Sequence, residues 1–250
     1  MTEIIIEHLT VRYSDGYESL RDINMQMRSN AINVLFGPAG GGKSTLLRTM
    51  NRLNDLADVS EVSGRILLNG VNILENGVDV IELRRKVGIL FSRPIPLPLS
   101  IYENVCYGLR MAGIRKKSVL DEAVEWSLRM SVLWDEIHDR LNDPANALSG
   151  GQQQRLCLAR TLALKPEIVM LDEPTSALDP VSTARIESLL MELKQQFTII
   201  LAPHNTQQAA RMADFAGFFL QGELIETGDT GIFTNPRDQR TQEYIEGRFG

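Results

Sequence analysis

The chain has 250 residues, with 26 Lys plus Arg against 32 Asp plus Glu and a net charge of −6. That length suits one large domain or two small ones, able to bury a core with no need of a covalent staple. At 43% hydrophobic and 23% charged residues, the composition excludes a disordered chain, a collagen-like chain and a disulfide scaffold. The acidic balance argues against a protein that coats nucleic acid. No apolar run approaches the ~18 residues that span a bilayer. Residues 1–8 carry neither a basic leader nor a long apolar core, so no secretory signal is expected. Cys106 and Cys157 are spaced unlike any metal site and are expected to be free, buried thiols in a reducing compartment.

In chain order, residues 4–11 and 23–27 read as short strands about the turn at Ser14, Asp15 and Gly16. Residues 31–36 form an apolar run that stops at Gly37, as a buried strand does. A helix is expected over 43–53, with Leu46, Leu47, Met50 and Leu53 on one face, and a strand over 65–68. A strand over 87–91 leads into Pro94, Pro96 and Pro98, which forbid helix and mark an extended loop. The pattern is helical from 101 to about 137, with Ala123, Trp126, Leu128 and Met130 as candidates for the buried side. Residues 153–164 are strongly helical, and short apolar strands at 168–171 and 198–201 are each followed by a helical segment. Strand, helix and strand at this spacing imply a parallel sheet covered by helices. Residues 215–225, with Gln221 and Gly222 between apolar runs, read as a hairpin.

Gly37-Pro38-Ala39-Gly40-Gly41-Gly42-Lys43-Ser44 matches the phosphate-binding loop G-x-x-x-x-G-K-[ST]. Chance gives the pattern in roughly one chain in a hundred of this length, and here it lies between an expected strand and an expected helix, as the chemistry requires. Glycines let backbone N–H groups curl about an anion, and the helix presents its positive end to it. Lys43 would neutralise the outer phosphates and the Ser44 hydroxyl would ligate Mg²⁺, with Thr45 next in the nucleotide-binding run. Asp172 and Glu173 close the strand at 168–171, where parallel sheets bind ligands. Asp172 fits a Mg²⁺ carboxylate and Glu173 is placed to polarise a water against the terminal phosphate. Ser149, Gly150 and Gly151, opening a helix, make a second anion cradle.

Leu148-Ser149-Gly150-Gly151-Gln152 resembles the signature motif of ATP-binding cassette (ABC) ATPases. Ser176-Ala177-Leu178-Asp179 resembles their D-loop, His204 their switch histidine, and Tyr13, with Tyr17 as a near neighbour, the aromatic that stacks on adenine. The resemblance runs from about residue 3 to 230. It implies a P-loop cassette: a mainly parallel α/β core formed by residues 1–91 and 150–250, carrying an N-terminal antiparallel β-subdomain, with a helical subdomain inserted at about 92–149. It also implies ATP and Mg²⁺ as cofactors, and a homodimer closed by ATP held between the P-loop of one copy and the signature of the other. The partners it implies are integral-membrane permeases and, indirectly, a solute-binding protein, with no nucleic acid. The place it implies is the cytoplasmic face of the inner membrane, and residues 92–140 are the expected docking surface for the permeases.

Residues 51–56, 98–105 and 244–250, together with 148–163, resemble the ATPase subunit of bacterial phosphate importers. Inorganic phosphate is therefore the expected cargo, by resemblance alone. Two positions depart from the family pattern. Ser92 stands where a Mg²⁺-ligating Gln is usual and is two carbons shorter, so that it reaches a metal only through a water. Pro203 stands before His204 in place of Thr or Ser, removing a backbone donor. The alternatives are an importer ATPase for another solute, a soluble ABC ATPase acting on DNA or ribosomes, and a regulatory cassette that turns ATP over poorly. The missing coiled-coil insertion and the single motif set weigh against the soluble kind.

Overall fold

The computed structural model describes residues 2–176 and 178–248. Ala177 of the expected D-loop, and Phe249 and Gly250 of the closing segment, lie outside them. The first two strands, β1 (Ile4–Tyr13) and β2 (Glu18–Met27), pair antiparallel across the turn at 14–17. β3 (Ile32–Phe36) is buried along its whole length and ends at the glycine loop, which leads into α1 (Lys43–Met50). β4 (Val59–Leu68), β5 (Val71–Asn72), α2 (Val80–Lys86) and β6 (Val87–Leu90) follow. A helical stretch comprises α3 (Ile101–Met111), α4 (Lys117–Met130), α5 (Trp134–Ile137) and α6 (Gly150–Leu162). The chain then alternates through β7 (Ile168–Asp172), α7 (Pro180–Leu193), β8 (Thr198–Ala202) and α8 (Thr206–Met212). It closes with β9 (Phe215–Leu220), β10 (Glu223–Gly228) and α9 (Gln239–Ile245).

Two sheets result. One is antiparallel, in the order β2-β1-β4-β5; the other is β10-β9-β3-β8-β7-β6, parallel except for β10. Strand residues alternate between the two faces of the larger sheet. Val169, Leu171, Ile199 and Leu201 pack with α6, α7 and α8. Ile168, Met170, Ile200 and Ala202 pack with α1 and with the apolar side of the antiparallel sheet. A third cluster joins α3, α4 and α5, and α6 belongs to two clusters at once. Cys157, Leu158 and Leu162 face the sheet, while Leu156 and Ala159 face α3 and α4. Both cysteines are buried and free. Among the described residues no helix is long and apolar enough to cross a membrane.

Several elements differ from expectation. The first helix ends at Met50, because Arg52 turns into the left-handed region. β4 starts at Val59, its first half held by pairing with β1 although almost every residue there is exposed. α2 buries only Leu83 and is started by Asp79, whose side chain accepts from the backbone N–H groups of Ile81 and Glu82. The expected helix over 101–137 is broken at Gly113 (φ +86) and at Val132 (φ 51). In α4 the buried side is Leu120, Val124, Ser127 and Leu128. Of the four candidates only Leu128 is buried; Trp126 and Met130 lean half-buried on the sheet cluster, and Ala123 lies half-buried in the helical one. The hairpin stands as expected, with Gln221 and Gly222 both at positive φ, the requirement of a two-residue turn.

Candidate functional site

Because β3, β8, β7 and β6 are adjacent and parallel, the segments that leave their C-terminal ends emerge along one edge. These are the glycine loop after β3, His204 after β8, Asp172 and Glu173 after β7, and Ser92 after β6.

The loop backs onto β9. At Gly37 (φ +139) an added Cβ would lie 1.9 Å from the Phe219 carbonyl oxygen, and at Gly42 (φ +103) it would lie 2.6 Å from that of Ser19. Only glycine fits either place. Gly42 opens α1 in the left-handed region, and no side chain caps the helix. By contrast, α3, α6, α7 and α8 are capped by Ser100, Ser149, Asp179 and Asn205. The first N–H groups of α1 therefore stay open to an anion. Lys43 is buried and donates to the carbonyls of Gly37 (2.7 Å) and Pro38 (2.8 Å), which leaves one ammonium proton for a phosphate. Burial lowers its pKa, opposed by the charges of Glu173 and Asp172.

Asp172 is half-buried, and neither its carboxylate nor the Ser44 hydroxyl is hydrogen-bonded to any described residue. These two free oxygen donors suit Mg²⁺. Among the described residues no group of three His, Cys, Asp or Glu could hold an ion, so Mg²⁺ at this site would complete its shell from phosphate oxygens and water. Glu173 adopts φ 48, its N–H donating to the Ala202 carbonyl at 2.8 Å. Holding a glutamate in that region costs about 1 kcal/mol, and such strain gathers at functional sites. Its Oε2 lies 3.8 Å from His204 Nδ1.

His204 stays beside Glu173 despite the preceding proline. Its N–H donates to Gln208 Oε1 at 3.2 Å, while Gln208 Nε2 donates to Thr175 Oγ1 (2.9 Å) and Glu187 Oε1 (3.0 Å). Gln208 thus knits together the segments after β7 and β8 and helix α7. Sequence reasoning missed it, although Asn205 three residues earlier, capping α8 through the Gln208 N–H, was the available signal. The Ser92 hydroxyl makes no hydrogen bond among the described residues, while Gln154 Nε2 donates to the adjacent Phe91 carbonyl at 3.1 Å. Two tyrosines reach the start of α1 and the glycine loop before it. The Tyr13 hydroxyl lies 3.4 Å from Thr45 Oγ1, and the hydroxyl of Tyr17, a residue 48% exposed, donates to the Gly40 carbonyl at 3.2 Å.

The signature forms a separate group. Ser149 and Gln152 make a capping box at the start of α6, and Ser149 and Gly150 are exposed. An added Cβ on Gly151 would lie 3.3 Å from Ser182 Oγ. Asp179 caps α7 through the N–H groups of Val181 (2.9 Å) and Ser182 (3.0 Å), and its bonds from Ser182 depress its pKa. Among the described residues no hydrogen bond or ion pair joins this group to residues 37–45.

The family model described as "ABC transporter" matches residues 20–176. Among solved structures, cbiO1 from Clostridium perfringens, part of the ABC transporter complex cbiONQ, is 28% identical, with a TM-score of 0.80 over 98% of this chain and 96% of that one. The ATP-binding cassette MJ0796, solved as a dimer in a post-hydrolysis state with ADP and Pi, is 26% identical, with a TM-score of 0.78 over 91% of this chain and 98% of that one. A match over more than half of the chain, on a fold that sets a phosphate loop beside a strand-end carboxylate pair, makes this protein a member of the ABC transporter family, the cassette that binds and hydrolyses ATP.

Proposed function

We propose that this cassette powers import of inorganic phosphate, working as an ATP-closed homodimer on the cytoplasmic side of membrane permeases that a solute-binding protein supplies. The observation that carries the ATPase part is the convergence of Lys43, Asp172, Glu173 and His204 on one sheet edge. In this reading Lys43 and the open N–H groups of α1 hold the phosphates, with Ser44 and Asp172 as the Mg²⁺ ligands. Mg²⁺ would supply charge neutralisation on the phosphate oxygens. Glu173 takes the proton of the attacking water, and His204, beside it, stabilises the terminal phosphate. Tyr13 or Tyr17 covers the base. Ser149, Gly150, Gly151 and Gln152, with Asp179 behind them, meet the nucleotide of the partner copy; two phosphate cradles unlinked within one chain support that arrangement. Residues 92–149 form the helical subdomain, and its segment up to 140 docks on the permeases. Ser92 leaves the place of the usual Gln with a hydroxyl too short to reach a metal directly.

The phosphate cargo is supported by the resemblance of residues 51–56, 98–105 and 244–250. Several of these residues serve packing. The Asn51 amide donates to the Val87 carbonyl, Asn54 Nδ2 to Thr49 Oγ1, and Asn104 Nδ2 to the Leu97 carbonyl. A second reading, import of another solute, is favoured by the likeness to cbiO1 of the cbiONQ complex. Uptake of labelled phosphate in cells lacking this chain separates the two. Uptake should return with the parent chain and stay absent with Glu173→Gln; restored uptake of a different solute, with phosphate unaffected, would favour the second reading.

Lys43 gives the ATPase part a pH signature. Its ammonium sits below the ordinary lysine range because it is buried, and a bound phosphate restores the charge. The complex then holds a proton that the free protein loses at alkaline pH. MgATP affinity should be complete below the depressed lysine value and decline as pH rises through it. Calorimetric titrations between about pH 7 and 10 should show that decline together with proton uptake on binding. A flat profile without uptake would mean that Lys43 does not meet the phosphates.

A further inference from the structure

The carboxylate of Glu136, on the short helix α5, receives four hydrogen bonds. Oε1 accepts from Arg155 Nη1 (2.8 Å) and Arg185 Nη1 (3.1 Å); Oε2 accepts from Arg155 Nη2 (3.0 Å) and Gln152 Nε2 (3.0 Å). The donors belong to the first two turns of α6, which the signature opens, and to α7, which Asp179 caps. The Arg155 side chain is only 6% exposed, so its charge needs this counter-ion. Its guanidinium also donates to the carbonyl of Val132, a β-branched residue held at φ 51 in the turn before α5.

The consequence for the signature follows from the Gln152 amide. Its Nε2 is committed to Glu136, which leaves Oε1 to accept from the Ser149 N–H at 3.1 Å. Turned round, the amide would set an oxygen against the Glu136 carboxylate and a donor against the Ser149 N–H, and both contacts would repel. With the Ser149 N–H occupied and its Oγ accepting from the Gln152 N–H at 3.4 Å, the hydroxyl proton has no partner among the described residues. It is the group left to donate outward to an anion.

The geometry points to Glu136 as a positioning residue. By fixing the Gln152 amide it presets the Ser149 donor, and through Arg155 and Arg185 it ties that donor to α7, so that the phosphate of a second copy's ATP meets an array already set. The inference rests on the proposal that the signature receives the partner's nucleotide.

The test uses the full chain carrying Glu173→Gln, with and without Glu136→Gln, probed with MgATP. A glutamine at 136 has one acceptor end and one donor end, so it cannot hold both Arg155 and the Gln152 amide in place. MgATP binding to the monomer, which uses the chain's own phosphate loop, should stay within about twofold. The MgATP concentration that half-closes the dimer in sedimentation runs should rise about tenfold or more. Glu136→Asp should fall between the two. A purely architectural role would lower thermal stability while leaving the MgATP requirement of the folded fraction unchanged, and that result overturns the inference. If the double variant does not fold, Arg185→Ala removes one exposed arm without stranding a buried charge. It should raise the requirement about threefold, and an unchanged value overturns the tie to α7. A Glu173→Gln parent that stays monomeric at saturating MgATP overturns the shared-nucleotide reading itself, and the Glu136 role with it; a dimerising parent with an unaffected double variant overturns the Glu136 role alone.

Discussion

Replacing Glu173 by Gln should cut ATP turnover about a thousandfold while leaving an ATP-closed dimer that outlives the parent's. Glutamine keeps the shape and the hydrogen-bonding reach but cannot take a proton from water. It also removes one of the two carboxylate charges that act on Lys43, leaving Asp172, so an anion in the phosphate loop meets less repulsion. With the terminal phosphate uncleaved, nothing reverses closure. Steady-state hydrolysis measures the first effect, and size-exclusion chromatography with and without MgATP measures the second. If more than about a tenth of the parental rate survives, the proton acceptor lies elsewhere, and His204, 3.8 Å from Glu173, becomes the group to remove next.

Gly37→Ala should damage both fold and site. The new methyl would stand 1.9 Å from the Phe219 carbonyl oxygen, a backbone atom near the end of the paired strand β9, at φ +139. Either β9 or the loop has to move. Destabilisation of about 3 kcal/mol or more is expected, and the protein that does fold should lose about a hundredfold in turnover through displacement of the loop. Gly40→Ala is the control. Its methyl would meet nothing within 4 Å at φ +75, so about 1 kcal/mol of backbone strain is the main cost. Chemical denaturation of the two variants side by side separates collision from strain. Equal losses would show that crowding by Phe219 does not govern the loop.

Legibility in the sequence followed the distance along the chain between interacting groups. The phosphate loop could be read because its chemistry lies in eight consecutive residues, and Glu173 because an apolar strand points to it. That the larger sheet is mainly parallel followed from strand–helix alternation, but its order, with β3 between β9 and β8, rests on pairings between distant segments that leave no local trace. α2 escaped because a seven-residue helix with only Leu83 buried leaves no periodic trace. The first half of β4 escaped because exposed residues paired with β1 carry no alternation. Glu136 escaped for a different reason. Its partners stand 16, 19 and 49 residues away, and an acid among helical residues looks like any solvated surface charge until the chain is folded.

Helix α6 lends one side to the sheet core and the other to the helical core. A graft that exchanged residues 92–149 between two cassettes would therefore cut through shared packing. Leu156 and Ala159 would stay behind with the recipient and meet a stranger's α3 and α4. The transplantable unit is longer than that segment. It has to carry α6 as a hinge pin belonging to both leaves, and a chimera joined after α6 should express and fold where one joined before it does not.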